Sequence, residues 1–192
     1  ENMKGNWNTS VFKNKNPIIL ELACGKGEYT LALAKMCPDK NFIGIDIKGA
    51  RLWHGAKAAI SNGLSNAVFL RIQIECLLDY FDKNEVAEIW IPFPDPQLRE
   101  RRSKKRITGS RFLDIYRQAL QSGGVVHLKT DNINLYNFTL QALAMQNIKI
   151  LMKTENLYNE NFLDEFVSVK TTYEKKFLEI GSTIKYLKFG FN

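Results

Sequence analysis

The sequence predicts an α/β domain built on a mostly parallel seven-stranded sheet with helices on both faces, and three observations predict it. Short apolar, β-branched runs alternate with longer segments whose apolar residues recur at helical spacing. The runs are almost continuously hydrophobic, as strands buried on both faces must be. Polar residues then recur where the runs stop: Glu21, Asp46, Gln73, Asp95 and Asp131 follow five successive strands. In an open α/β sheet, ligands bind outside the carboxyl ends of the strands, near the reversal in strand order. Five polar residues at such ends are hard to explain by folding alone.

Taken in order, residues 1–16 are polar, rich in Asn and Lys, and read as an irregular amino-terminal segment. Pro17 introduces the first strand, Ile18–Leu22. Gly25 and Gly27 lead into an Ala- and Leu-rich helix, Tyr29–Met36, stopped by Cys37-Pro38. A second strand, Phe42–Ile47, contains Asp46. The helix Ala50–Ile60 carries Trp53, Ala56 and Ile60 at helical spacing and closes at Asn62-Gly63. A third strand, Val68–Ile72, precedes a short helix, Leu77–Phe81. The fourth strand, Val86–Phe93, runs into Pro92, Pro94 and Pro96, which force the backbone out of the sheet as a stiff loop holding Asp95. Ser110 is the expected cap of a helix with Phe112, Tyr116 and Ala119 on one face. Gly123-Gly124 turns into strand five, Val125–Lys129. Asn132 caps a helix whose inner face is Leu135, Phe138 and Ala142. Strands at Ile148–Met152 and Ile184–Phe191 complete the sheet. Trp53, Phe112 and Phe138 read as core, and His127 as a hydrogen-bonded structural residue. No repeat or linker divides the 192 residues, which suit one domain, 1–192.

Composition narrows the function. The hydrophobic share of 45% and charged share of 24% are those of a soluble globular chain. No apolar stretch reaches membrane-spanning length, and the first ten residues lack a signal-peptide apolar core. Three cysteines and two histidines, without paired spacing, argue against zinc or any other metal site and for a reducing, cytoplasmic setting. The net charge of +7 is clustered: Arg99, Arg101, Arg102, Lys104, Lys105 and Arg106 fall within eight positions of each other. A local positive field of that density retains phosphates. Standing alone, a run of like charges is more often a solvated face; its place beside Pro94-Asp95-Pro96 at a strand end favours a polyanion site.

The loop Glu21-Leu22-Ala23-Cys24-Gly25-Lys26-Gly27 departs from the dinucleotide fingerprint, because Thr30 stands at the third glycine position. Asp46 lies 21 residues beyond Gly25, the separation expected of an acid that grips ribose hydroxyls. Adenosine ribose without a pyrophosphate fits S-adenosylmethionine, whose cationic sulfonium and ammonium suit a site carrying Glu21. Locally, Asp46 reads equally as a strand-end cap, and Asp131 with Asn132 as a helix cap.

At this point the segments ELACGKGEYT (21–30), FIGIDIKGAR (42–51), FPDPQLRERRSKKRIT (93–108), HLKTDN (127–132) and TTYEKKFLEIG (171–181) carry a resemblance to the tRNA (guanine-N7)-methyltransferases. It runs from about Pro17 to Tyr186, and the Phe-Pro-Asp-Pro segment with its basic run is the most specific part. The resemblance implies a Rossmann-like class I methyltransferase fold acting on a guanine in the variable loop of tRNA, with S-adenosylhomocysteine as by-product. It implies that Glu21, Gly25, Gly27, Asp46, Gln73 and Asp95 line the cofactor site, Asp95 being also catalytic. It further implies substrate contacts from Arg99, Asp131, Thr171, Tyr173 and Glu174, and RNA contacts from Arg101, Arg102, Lys104, Lys105 and Arg106. The partner implied is tRNA, met by a monomer or homodimer. Three residues depart from the family pattern: Ala23 for glycine, expected to be harmless; Gln73 for an aspartate or asparagine; and Gln97 for tryptophan, which removes a stacking surface.

The chemistry agrees with the residues available. Guanine N7 is already a lone-pair acceptor, so its methylation needs no proton removed and no histidine base. The basic run contains no aromatic residue, so it is fitted to hold phosphates and set register, leaving guanine choice to the acids. Thr171–Glu174 also reads as a capping arrangement for the helix that follows. Two other classes stay open at this level: a non-catalytic RNA-binding protein on the same fold, and a methyltransferase acting on another RNA or on a protein.

Overall fold

The computed structural model describes residues 3–159 and 165–191. Among the described residues seven strands form one sheet: β1 (Ile18–Leu22), β2 (Asn41–Asp46), β3 (Ala67–Arg71), β4 (Val86–Pro92), β5 (Leu120–Thr130), β6 (Lys149–Thr154) and β7 (Lys185–Gly190). Their spatial order is β3-β2-β1-β4-β5-β7-β6. The first five pair in parallel; β7 is antiparallel to both β5 and β6. The strand order therefore reverses between β1 and β4, and that is where a ligand crevice is expected.

Alternation along the strands separates two cores. Leu20, Leu22, Ile43 and Ile45 face a layer made by α3 (Leu77–Tyr80), α4 (Ser110–Ala119) and α5 (Ile133–Met145). Ile19, Phe42, Trp90 and Tyr186 face the other side, with α1 (Glu28–Met36), α2 (Gly49–Ser61) and α6 (Glu165–Ser168). A further helix, α7 (Thr172–Glu179), packs Phe177 and Leu178 against this second core. Glu21 sits on the second face, one residue past the inward Leu20, so its carboxyl points toward α1.

Packing corrects four expectations. The amino-terminal segment is not irregular throughout: Trp7–Phe12 forms a π-helical turn whose Trp7 and Phe12 are buried, with Trp7 stacked on Phe81 at 5.2 Å. Trp53 is 58% exposed, because the inner stripe of α2 is Leu52, Gly55 and Ala59, one position away from the stripe read in the sequence. Phe138 is only partly buried and carries Arg106 over its ring. Ser110 does not cap α4: Gly109 holds that position without a side-chain bond. Asn132 does cap α5, accepting from the Leu135 amide at 3.0 Å.

Gly27, Gly44 and Gly55 converge on one ring. A Cβ at any of them would lie within 2.7 Å of Phe69, and at Gly27, where φ is +69°, within 2.1 Å. The three glycines thus seat Phe69 between the start of α1, the middle of β2 and α2. Replacing Gly27 with alanine combines a left-handed backbone with overpacking and is expected to cost about 2–4 kcal/mol of stability. Urea unfolding measures it; a loss under about 1 kcal/mol would mean the ring simply moves aside.

Candidate active site

At the carboxyl ends of β1 and β4 the chain opens a cavity of about 530 Å3, a volume typical of small-molecule sites. Three segments wall it.

The first wall is the glycine loop after β1. The Asp46 carboxylate accepts from the Gly25 amide at 2.9 Å and the Lys48 amide at 2.8 Å, tying this loop to the approach to α2. Gly25 has φ +59°, and nothing lies within 4 Å of where its Cβ would stand, so the backbone is bare toward the cavity. Ala23 has φ +56°. A commoner glycine there would be free of the strain that alanine carries in this region, so the exchange is not harmless to the backbone. Glu21 is 6% exposed and accepts from both the amide and the hydroxyl of Thr30, the amide at 2.7 Å. Thr30, which broke the dinucleotide fingerprint, thus serves to hold the acid. Burial pushes the Glu21 carboxyl up to about 8, against the opposing pull of those two hydrogen bonds.

The second wall is the proline loop after β4. The Phe93 amide donates to the Lys129 carbonyl at 2.8 Å, which fastens the loop to β5, and Phe93 itself has φ +52°. Asp95 is exposed, and its Oδ1 accepts from the Gln97 amide at 2.9 Å. It also lines a second cleft of about 310 Å3 with Gln97, Arg99 and Arg102. Asp95 therefore stands between the two hollows. In the turn Glu100–Lys105, Arg101, Arg102, Lys104 and Lys105 are exposed. Arg106 differs: it lies over the Phe138 ring at 4.5 Å and donates to the Gln97 carbonyl at 3.3 Å, so it is engaged in holding the loop to α5.

The third wall is the segment Thr171–Phe177. Thr171 caps α7 by accepting from the Glu174 amide, and the Thr172 amide donates to Glu28 at 2.7 Å, joining the starts of α7 and α1. Thr171, Tyr173, Lys176 and Phe177 line the cavity, as does Asp131 from the end of β5. Glu174 does not. Its side chain is fully buried, 2.7 Å from Lys129 Nζ and 2.5 Å from the Tyr158 hydroxyl.

Of the residues singled out in the sequence, Glu21, Gly25, Asp95, Asp131, Thr171 and Tyr173 meet at the cavity, and Asp46 braces it from behind. Gln73 is exposed beyond β3, outside the lining, and Gly27 faces Phe69. His127 is buried, stacked on Trp90 at 3.8 Å and placed 2.8 Å from both Glu88 and the Tyr186 hydroxyl, a structural role away from the cavity.

Residues 15–187 match the family described as "Putative methyltransferase". Over 189 residues the chain is 49% identical to a tRNA (guanine-N(7)-)-methyltransferase of Porphyromonas gingivalis, covering 98% of this chain and 77% of that one. The chain belongs to the tRNA (guanine-N7-)-methyltransferase family. Solved structures agree on its fold at low identity. The 16S rRNA methyltransferase KamB superposes with TM-score 0.69 at 13% identity, covering 94% of this chain and 90% of its own. Geranyl diphosphate C-methyltransferase of Streptomyces coelicolor, solved with S-adenosyl-L-homocysteine, superposes with TM-score 0.59 at 14% identity, covering 91% and 72%. The sheet is thus that of the class I S-adenosylmethionine-dependent methyltransferases.

Within this tRNA (guanine-N7-)-methyltransferase framework, sequence reasoning missed several residues of the cavity: Lys26, Glu28, Arg51, Phe93 and Phe177. Arg51 carried no signal of its own, being an exposed residue of α2 brought near only by the fold. Lys129 did carry one, as a lysine in the apolar run Val125–Lys129, which cannot be buried without an acid.

Proposed function

We propose that the chain transfers a methyl group from S-adenosylmethionine to N7 of a guanine in the variable loop of tRNA. The observation that carries this is the place of Asp95, shared by the glycine-loop cavity and the arginine-lined cleft. A donor on one side and a polyanion on the other meet at that carboxylate.

The residues fit the cofactor. Asp46, behind the lining, spends one oxygen on the Gly25 amide and the other on the Lys48 amide and so sets the glycine loop where the ribose would lie; Gly25 leaves room for it; Glu21 offers a carboxylate to an ammonium group. When bound, S-adenosylmethionine supplies a methyl on a positively charged sulfur. Asp95 accepts hydrogen bonds from the guanine N1–H and amino group, which orients the base and stabilises the positive charge growing on the purine. Asp131, on the same cavity, is the second candidate for that role. Arg99 and the exposed residues Arg101, Arg102, Lys104 and Lys105 hold phosphates and fix register. Among the described residues no cluster of three or more potential ligands could hold a metal ion, and no helix is long and apolar enough to cross a membrane. This reading places the enzyme in the cytoplasm, as a monomer or homodimer. The test is methyl incorporation into unmodified tRNA, with the modified nucleoside mapped by mass spectrometry. Methyl on a position other than guanine N7, or none with cofactor bound, overturns it.

Glu21 gives this reading a pH signature. Burial holds the carboxyl protonated up to about 8, whereas a neighbouring ammonium favours the ionised form. Binding therefore expels a proton, and cofactor affinity is expected to rise with pH toward 8 by up to about tenfold per unit, then level off. Calorimetry in buffers of different ionisation enthalpy should detect close to one proton released at pH 7. Glu21→Gln should flatten the dependence; an unchanged slope in that variant would show that the proton leaves another group.

A further inference from the structure

We infer that Lys129 and Glu174 form a buried positioning pair that sets the third wall of the cavity, and that Glu174 acts on the RNA only through that wall. The inference rests on the function proposed above. Both side chains are fully buried; Lys129 Nζ lies 2.7 and 2.9 Å from the two Glu174 carboxylate oxygens. The same ammonium donates to the carbonyls of Val167 at 2.9 Å and Val169 at 3.0 Å. Tyr158 donates its hydroxyl to Glu174 Oε1, the oxygen nearer the ammonium. One lysine on a central strand thus gathers the end of α6, the strap after it and the first turn of α7. Thr171 and Tyr173, just ahead of Glu174 in sequence, are thereby turned toward the cavity.

A buried ion pair contributes little net stability, yet losing one partner strands the other's charge. Its retention in a wall of the site is explained by placement. A substrate-touching carboxylate needs free acceptor sites at the cavity, whereas those of Glu174 are turned inward to an ammonium and a phenol.

The test compares Lys129→Met, Glu174→Gln and the double variant, with wild type alongside. Lys129→Met is expected to raise the KM for tRNA at least tenfold while cofactor Kd changes less than twofold, and Glu174→Gln to raise it severalfold. In the double variant the losses should be shared, giving a KM no higher than that of Lys129→Met, because the two residues act as one unit. Hydrogen exchange should quicken at least tenfold across Thr171–Lys176 in Lys129→Met, with β1 and β4 unaffected. Losses that multiply in the double variant, or Lys129→Met with wild-type KM and exchange, would overturn the pair. If Lys129→Met does not fold, Glu174→Gln decides: exchange in Thr171–Lys176 unchanged while KM rises would assign Glu174 to the substrate directly. Absence of methylation by wild type would instead refute the proposed function, and hydrogen exchange reads the pair without it.

Discussion

Asp95→Asn is expected to lower the single-turnover rate of guanine methylation by about a hundredfold to a thousandfold with tRNA bound. The substitution isolates charge from shape. Asparagine keeps an oxygen where Asp95 Oδ1 accepts from the Gln97 amide, so the proline loop should keep its course. Asp95 is also exposed, so stability should change by less than about 0.5 kcal/mol. What is lost is an acceptor for the guanine N1–H and amino group as positive charge grows on the ring. No proton need leave N7, so the rate of Asp95→Asn should fall without a new pH dependence. A full rate at saturating cofactor and RNA would remove Asp95 from the chemistry and leave Asp131 as the acid to examine.

The second large effect is on RNA affinity. Neutralising Arg101, Arg102 and Lys104 together to glutamine should weaken tRNA binding at low salt by about tenfold to a hundredfold. It should also reduce the slope of log K against log salt by about two to three, one counterion release per lost phosphate contact. These side chains are exposed on the turn Glu100–Lys105, so melting should be nearly unchanged. Arg106 is left out of the set because its guanidinium is committed to Phe138 and the Gln97 carbonyl. A salt slope equal to that of wild type would place the RNA on another face.

The parts of this molecule that could be read from sequence are those where local chemistry and tertiary position coincide. The ends of β1, β4 and β5 are such places: an apolar run must stop, and a polar residue there faces the crevice, so Glu21, Asp95 and Asp131 were legible together, with Asp46 at the end of β2 bracing them from behind. Trp7 was not, because its burial depends on Phe81, a partner 74 positions away, in a stretch whose composition is that of a loop. Trp53 misled for a related reason. Its helix is packed through Gly55, a residue with no side chain to register in an apolar pattern, onto Phe69. Gln73 matched a motif position but lies beyond the cavity lining, since β3 is the sheet's edge strand. Glu174 matched one too, yet which way a carboxylate turns from a helix start is settled by Lys129, 45 residues earlier.

The reversed strand β7 has a consequence for how substrate choice can change. Because β6 and β7 run in opposite directions at the sheet's edge, the connection between them both leaves and re-enters at the end of the sheet where the crevice opens. Of the described residues in that connection, Thr171, Tyr173, Lys176 and Phe177 stand at that mouth and wall the cavity. The connection's length can change without breaking the pairing of the parallel strands, while Glu28 and Tyr29 of α1, bonded to Thr172 and Phe166, carry any such change to the glycine-loop side of the cavity.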